Sequence, residues 1–250
     1  MPEILCAEKI AAHLRENMQV YVAEEVDSTN VWARRLLSEG KTEAALLTAE
    51  YQTAGRGRQG KSFYSPRGTG LYMTLLLPWN QPVTSPVHIT VDASVAVCRA
   101  LETLTEQPFQ IKWVNDIYRN GRKVCGILAE AVADWEKGVI RHLILGVGVN
   151  VRKTDVPEEL KDIVGWLDCP VDRNILAAEI ANQIAMPRDT MAYYREHSLV
   201  LGKNIRCLEN GRWKSARAVD IDEEGGLVIR EESGEMRTLR SGEISVRLDA

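Results

Sequence analysis

Three cations and three glycines fall within the eight residues Gly55-Arg56-Gly57-Arg58-Gln59-Gly60-Lys61-Ser62. That mixture suits phosphate chemistry, because arginine, lysine and free backbone N–H groups are the donors that phosphate oxygens accept from. The segment spells two nucleotide motifs at once, G-x-G-x-x-G and G-x-x-x-x-G-K-[ST], and its context removes both. Phe63-Tyr64-Ser65-Pro66-Arg67-Gly68 follows, and Pro66 and Gly68 prevent the helix on which either motif seats its phosphates. Positions 78–82 hold no acid to meet a ribose. A mobile cationic loop remains, able to close on a phosphate through Arg56, Arg58 and Lys61. A solvated turn with incidental charge is the plain alternative, and the flanking residues decide between them.

Those flanks carry a resemblance. Glu50-Tyr51-Gln52-Thr53-Ala54 leading into the loop, then Ser65-Pro66 and Gly70-Leu71-Tyr72, resemble the signature of biotin–protein ligases. Val26-Asp27-Ser28-Thr29-Asn30 is similar to that family's V-D-S-T-N, and Lys112-Trp113-Val114-Asn115-Asp116 to its K-W-P-N-D. Arg122 through Glu130 is similar to R-K-x-x-G-I-L-x-E, Gly146-Val147-Gly148-Val149-Asn150 to its glycine–asparagine strand end, and Gly242-Glu243-Ile244-Ser245 to the closing motif of its C-terminal barrel. The joint order of these stretches is specific where no single one is.

The resemblance implies a two-step reaction. A biotin carboxylate attacks the α-phosphate of ATP, giving biotinyl-5′-AMP and pyrophosphate. A lysine amine of a biotin carboxyl carrier protein or domain then attacks the activated carbonyl and releases AMP. Both steps shift charge at a phosphate, which makes positioned cations the main catalytic device, and the mixed anhydride must be kept from water. By the same resemblance Ser28, Thr29 and Asn30 meet the ureido head of biotin, with Gln52 beside them, although Ser or Thr before a helix is ordinarily a cap. Arg56, Gly57 and Arg58 cover the ligand and its phosphate, and Lys123 holds the carboxylate and α-phosphate oxygens, so that Arg58 and Lys123 are the catalytic candidates. Gly126 allows close backbone approach to biotin, a β-bulge being the alternative. Tyr72 is a candidate wall for biotin, and Lys61 and Phe63 for the adenylate, although aromatics in strands are usually core. Asn115, Asp116 and Asn150 fall on the nucleotide side, Asp116 through Mg²⁺, which prefers carboxylate and phosphate oxygens. Asn-Asp is also ordinary turn chemistry. Val114 stands where the motif has proline, which alters rigidity more than chemistry.

The elements that must position these residues read as follows. A short helix at about 6–17 precedes a strand at 20–26. A capped helix runs from Ser28 to a stop at Gly40. Residues 45–51, 71–77, 110–114, 124–132 and 139–149 are strand-like, with the turn Asn120-Gly121 before the fourth of them. Apolar residues from Ile89 to Leu104 recur with a helical period across 86–106. Helices follow at 172–185 and 189–197, separated at Pro187. After Ser198 short β-like runs alternate with turns such as Gly225-Gly226 and Ser233-Gly234, which points to a small barrel. The expected fold is α+β: a mixed or antiparallel sheet with helices on one side over 1–198, of the class II aminoacyl-tRNA-synthetase-like type by resemblance, then an SH3-like β-barrel over 199–250.

Composition bounds the alternatives. The chain has 250 residues, 45% hydrophobic and 26% charged, with a net charge of −4, which disfavours a general nucleic-acid binder. The five cysteines, at 6, 98, 125, 169 and 207, form no C-x-x-C pair and read as free thiols of a reducing cytoplasm. No apolar run approaches the ~20 residues a membrane helix needs. About twenty residues precede the first strand, too few for the helix-turn-helix repressor domain that some members of the family carry. The competing functions are lipoate ligation on the same fold, a binding module that has lost catalysis, and, on barrel shape alone, nucleic-acid binding. The resemblance also leaves open a homodimer formed through sheet edges.

Overall fold

A computed structural model describes residues 3–82, 86–186, 189–209, 211–240 and 245–248. Pro187, the turn residues Asn210, Ser241 and Gly242, and most of the motif at 242–245 lie outside the described residues.

A seven-stranded sheet organises the first 200 residues. Its strands are β1 (Gln19–Val26), β2 (Ala45–Gln52), β3 (Gly70–Pro82), β4 (Gln110–Lys112), β5 (Asp116–Arg119), β6 (Arg122–Asp134) and β7 (Val139–Asn150), in the order β1-β2-β3-β7-β6-β5-β4. Only β1 and β2 run parallel, so the sheet is mixed, as expected. Its helices are α1 (Ala7–Ala11), α2 (Thr29–Ser38), α3 (Pro86–Thr105), α4 (Arg173–Ala185) and α5 (Thr190–Glu196).

Strand alternation divides the apolar side chains between two faces. Leu46, Leu71, Met73, Leu75, Leu145, Val147 and Val149 join the main core with the apolar residues of α3 and α4. Their neighbours Ala45, Leu47, Leu76 and Ile144 form a second cluster with Ala33 and Leu36 of α2. The helices are therefore not all on one side: α2 covers part of the opposite face. Ten residues cannot cover it all, and the uncovered remainder holds the cavity described below.

Three local readings change. Helix α1 is five residues long instead of about twelve, because Asn182 of α4 takes over the chain, accepting from Arg15 N–H at 2.8 Å and donating to His13 O at 2.9 Å. The strand expected at 110–114 stops at Lys112, and the Trp113–Val114 peptide is cis. Strand β5 was not expected; four residues are too few to show a period. At the end of α2 the Gly40 stop is a Schellman cap, with φ +82° at Gly40 and N–H groups of Gly40 and Lys41 donating to Leu37 O and Leu36 O at 3.0 Å each.

The C-terminal strands β8 (Asn204–Glu209), β9 (Arg212–Ile221), β10 (Leu227–Glu231), β11 (Met236–Leu239) and β12 (Ser245–Leu248) form an antiparallel sheet in the order β11-β10-β9-β8-β12. It docks on the main body: Trp113 Nε1 donates to Gly225 O at 2.9 Å, and Arg195 Nε to Ile221 O at 2.8 Å. Buried residues of both sheets belong to one continuous core.

Candidate active site

The face left open beside α2 forms a cavity of about 840 Å³. Every residue singled out in the sequence lines it: Ser28, Thr29, Asn30, Gln52, Arg56, Gly57, Arg58, Lys61, Phe63, Tyr72, Asn115, Asp116, Lys123, Gly126 and Asn150. They arrive from six separate stretches of chain, which the sheet brings together.

Strand β7 is the axis of the cavity. Gly146, Gly148 and Asn150 share its inner face, and four residues of strand span about 14 Å. The register places Gly146 beside Thr74 and Leu128, and Gly148 beside Tyr72 and Gly126. Glycine keeps this floor flat. A Cβ on Gly146 would lie 2.3 Å from Asn30 Oδ1, and one on Gly148 would lie 2.5 Å from the Phe63 ring. Those are closer than carbon atoms approach.

A polar pocket built on the start of α2 occupies the Gly146 end. Ser28 sits at the N-cap but makes no capping bond, so the helix does not consume its hydroxyl. The capping is done from outside: Gln52 Oε1 accepts from Thr29 N–H at 2.9 Å. Gln52 Nε2 in turn donates to Ser65 Oγ at 2.8 Å, which fixes both ends of that amide. Asn30 Nδ2 donates to Glu130 Oε2 at 2.8 Å.

The middle of the cavity is cationic. Lys123 Nζ lies 2.6 Å from Asp116 Oδ1. Arg58 Nη1 donates to Asn115 Oδ1 at 3.1 Å, and Asn115 Nδ2 donates to Ile127 O at 2.8 Å, so this amide joins the loop to β6. Burial pulls the Arg58 guanidinium below its ordinary value, against the opposing pull of Asp116; an arginine stays charged regardless. Among the described residues lining the cavity, Arg56, Arg58, Lys61, Lys112, Lys123 and Arg152 face a single carboxylate, Asp116. An acidic chain thus carries a cavity whose charged lining is mostly cationic.

The cationic loop is a compact turn. Gly57 N–H donates to Lys61 O at 2.7 Å, Lys61 N–H to Arg58 O at 3.1 Å, and Phe63 N–H to Gly55 O at 2.8 Å. Arg56 and Lys61 project to solvent, while Arg58 is half-buried. Phe63 meets Tyr72 edge to face, with ring centroids 6.4 Å apart. Tyr72 is as much core as wall: it is 1% exposed, its hydroxyl donates to Pro66 O at 2.9 Å, and burial pushes its pKa up to about 12. Val114 is buried, and its carbonyl accepts from Tyr194 Oη at 3.0 Å and Ser94 Oγ at 3.1 Å. Two hydroxyls thus tether the chain where the motif has proline.

Sequence reasoning missed two parts of the wall. Leu160, Ile163, Val164 and Trp166 close the far end from the stretch between β7 and α4. This stretch is tied to the cationic centre: Lys123 N–H donates to Ile163 O at 2.8 Å and Gly165 N–H to Lys123 O at 2.7 Å. Asn150 Nδ2 donates to the same Lys123 carbonyl at 3.3 Å. The only signal was a set of apolar residues with no helical or strand period. Leu208 and Trp213 reach the cavity from the C-terminal sheet.

Residues 22–150 match the family model described as biotin/lipoate A/B protein ligase, and residues 200–247 match that of the biotin protein ligase C-terminal domain. The bifunctional ligase/repressor BirA of Bacillus subtilis is 32% identical over 224 residues, covering 84% of this chain and 68% of that protein. The biotin--[acetyl-CoA-carboxylase] ligase of Mycobacterium tuberculosis is 31% identical over 230 residues, covering 84% and 83%. The biotin protein ligase from Aquifex aeolicus, solved in complex with biotin and ATP, has a similar structure, with a TM-score of 0.76 at 30% identity over 92% of this chain and 99% of that one.

Proposed function

Because the chain belongs to the biotin/lipoate A/B protein ligase family, we propose that it activates biotin with ATP as biotinyl-5′-AMP and transfers the biotinyl group to a lysine of a biotin carboxyl carrier domain. The observation that supports this reading best is the succession along β7: a polar pocket at Gly146, a flat glycine floor at Gly148, and a cationic centre where Asn150 meets Lys123. An acyl adenylate of biotin needs those environments in that order, for its ureido head, its ring and chain, and its phosphate.

In this reading Ser28, Thr29, Asn30 and Gln52 take the ureido group, and Gly126 and Tyr72 border the chain. Lys123 stands where the carboxylate oxygen forms its bond to the α-phosphorus and the bond to pyrophosphate breaks. Lys123 and Arg58 offset the charge that builds on the phosphoryl oxygens. Trp166, Ile163 and Leu160 provide an apolar seat for the adenine, with Phe63, Asn115 and Asn150 around it. Arg56, Arg58 and Lys61 keep water from the anhydride by covering it. In the second step the acceptor amine bonds to the carbonyl carbon, AMP leaves, and the amine proton passes to solvent.

Asp116 suits Mg²⁺, which takes one or two carboxylates and otherwise phosphate oxygens and water. No cluster of three or more His, Cys, Asp or Glu occurs among the described residues, so the nucleotide would supply most of the ligands. The ion, when bound, neutralises phosphate charge. Release of Asp116 from Lys123 frees both groups for their partners.

Residues 1–198 form the catalytic unit in this reading, and residues 199–250 a second module that contributes Leu208 and Trp213 to the wall. No helix among the described residues is long and apolar enough to cross a membrane, and the use of ATP suits a cytoplasmic enzyme. The test is exchange of labelled pyrophosphate into ATP in the presence of Mg²⁺. Exchange that depends on added biotin supports the reading, and exchange indifferent to biotin overturns it.

A further inference from the structure

Behind the polar pocket stands a carboxylate that does not line the cavity, and we propose that Glu130 is the positioning residue that sets the polarity of the ureido site. Its two oxygens have separate partners. Oε1 accepts from Arg34 Nη2 at 2.9 Å, and Oε2 accepts from Asn30 Nδ2 at 2.8 Å. Arg34 lies one turn beyond Asn30 on α2, so Glu130 of β6 grips the helix twice and holds its first turn to the sheet.

An asparagine amide is nearly the same shape when its oxygen and nitrogen are exchanged, so packing alone does not choose between the two orientations. An ionised carboxylate chooses, because it only accepts. With Nδ2 turned to Glu130, Asn30 Oδ1 faces Thr74 Oγ1 at 2.6 Å. Thr74 also lies 2.8 Å from Thr29 Oγ1. A hydroxyl has one hydrogen. Asn30 Oδ1 accepts only, so Thr74 gives its hydrogen there, and Thr29 spends its own hydrogen on Thr74 Oγ1 at 2.8 Å or on Gln52 Oε1 at 3.2 Å. The fixed charge of Glu130 therefore sets the orientation of Asn30 and, through it, the direction of the Thr74 hydroxyl, while Gln52 Oε1 and Thr74 together take the hydrogen of Thr29. Thr29 is left with lone pairs toward the cavity, able to accept from an N–H of a ligand. Thr74 could adapt to either amide orientation, so it does not choose between them. Between Asn30 and Thr74, Glu130 is the partner that cannot reverse.

This assignment rests on the biotin reading, and the two can fail separately. The experiment compares Glu130→Leu and Glu130→Gln with the unaltered protein in steady-state pyrophosphate release, varying biotin and ATP in turn, with a thermal melt of each variant. Leucine keeps the bulk and removes the acceptor. Loss of a charged hydrogen-bond partner corresponds to a rise in the KM for biotin of about 10- to 100-fold. Uniform binding is what is lost, so kcat and the KM for ATP are expected to stay within about twofold. Glutamine keeps one acceptor oxygen for Asn30 while Arg34 turns to solvent, so Glu130→Gln is expected to recover the KM for biotin to within about fivefold of the original. An unchanged KM for biotin in Glu130→Leu overturns the assignment, as does a loss shared equally by biotin and ATP or a failure of glutamine to rescue. If the unaltered protein shows no biotin-dependent release, the functional reading fails first and takes this assignment with it.

Discussion

Lys123 Nζ and Asp116 Oδ1 are 2.6 Å apart at the centre of the cavity, each side chain about a quarter exposed. The pair joins adjacent strands, β5 and β6. Asn115, next to Asp116 in the chain, accepts from Arg58. In the proposed reaction a phosphate entering here exchanges one anion for another at Lys123, whose ammonium Asp116 holds in place.

Replacing Lys123 with alanine is expected to lower biotin-dependent pyrophosphate release by at least about 100-fold, the loss typical of one preorganised charge donor. The fold should be intact, because the side chain packs in the cavity and not in the core. Near-normal release from Lys123→Ala would remove the residue from the chemistry.

Gly146 offers a steric test of the floor. A methyl group there would meet Asn30 Oδ1 at 2.3 Å. Gly146→Ala is expected to displace Asn30 and raise the KM for biotin by roughly 10-fold or more, the cost of unmaking one or two buried hydrogen bonds. Titration calorimetry with biotin checks this directly. Unaltered affinity would mean that the ligand does not use Asn30.

Arg173 is 1% exposed and is clamped between Glu50 and Glu3, with Nη1 to Glu50 Oε2 at 2.7 Å and Nε to Glu3 Oε1 at 3.1 Å. Arg152 also pairs with Glu3, so the N-terminal segment is tied to the sheet through charge. Removing one partner of a buried pair leaves an uncompensated charge. Arg173→Met is expected to cost about 3–5 kcal/mol in denaturant unfolding, and adding Glu50→Gln should return part of it. A loss below about 1 kcal/mol would place the arginine's charge in water.

Asp27 gives a pH dependence of known sign. Its carboxylate accepts from Arg35 at 2.8 and 2.9 Å and from Ser28 N–H at 2.8 Å. The Arg35 hydrogen bonds, foremost, hold its pKa below the ordinary 3.8, against the opposing effect of burial. A depressed carboxylate stabilises the fold above its unfolded pKa, and that contribution is lost as pH falls through the folded value. Melting temperature should therefore drop as pH falls below about 4, and Asp27→Asn should flatten that part of the curve. An equally steep acid limb in Asp27→Asn would contradict this. The side chain is nearly half exposed, so high salt should weaken the effect.

Much of the site was legible because its residues sit in short local stretches whose order along the chain is distinctive. Ser28–Asn30, Gln52, the Gly55–Gly60 loop and Lys123 all line one cavity, and the family reading drawn from them holds. Other features depend on contacts that no local pattern records. Arg173 meets Glu3 across 170 positions of chain, and Trp213 reaches the cavity from a separate sheet. Leu160, Ile163, Val164 and Trp166 line the cavity from a stretch whose single helical turn, Glu158–Leu160, is too short to show a period. The placement of α2 opposite α3 and α4 followed from strand alternation at Leu46 and Leu47, which only the strand register makes readable.

The central claim is the transfer of biotin to protein. The direct measurement incubates the chain with ATP, Mg²⁺ and a carboxylase carrier domain, supplying labelled biotin in one arm and labelled lipoate in the other, and reads label on the acceptor lysine by mass spectrometry. ATP-dependent labelling by biotin, with little or none by lipoate and none on an acceptor lacking that lysine, is the predicted result. Labelling by lipoate in preference to biotin, or no ATP-dependent label in either arm, would contradict it.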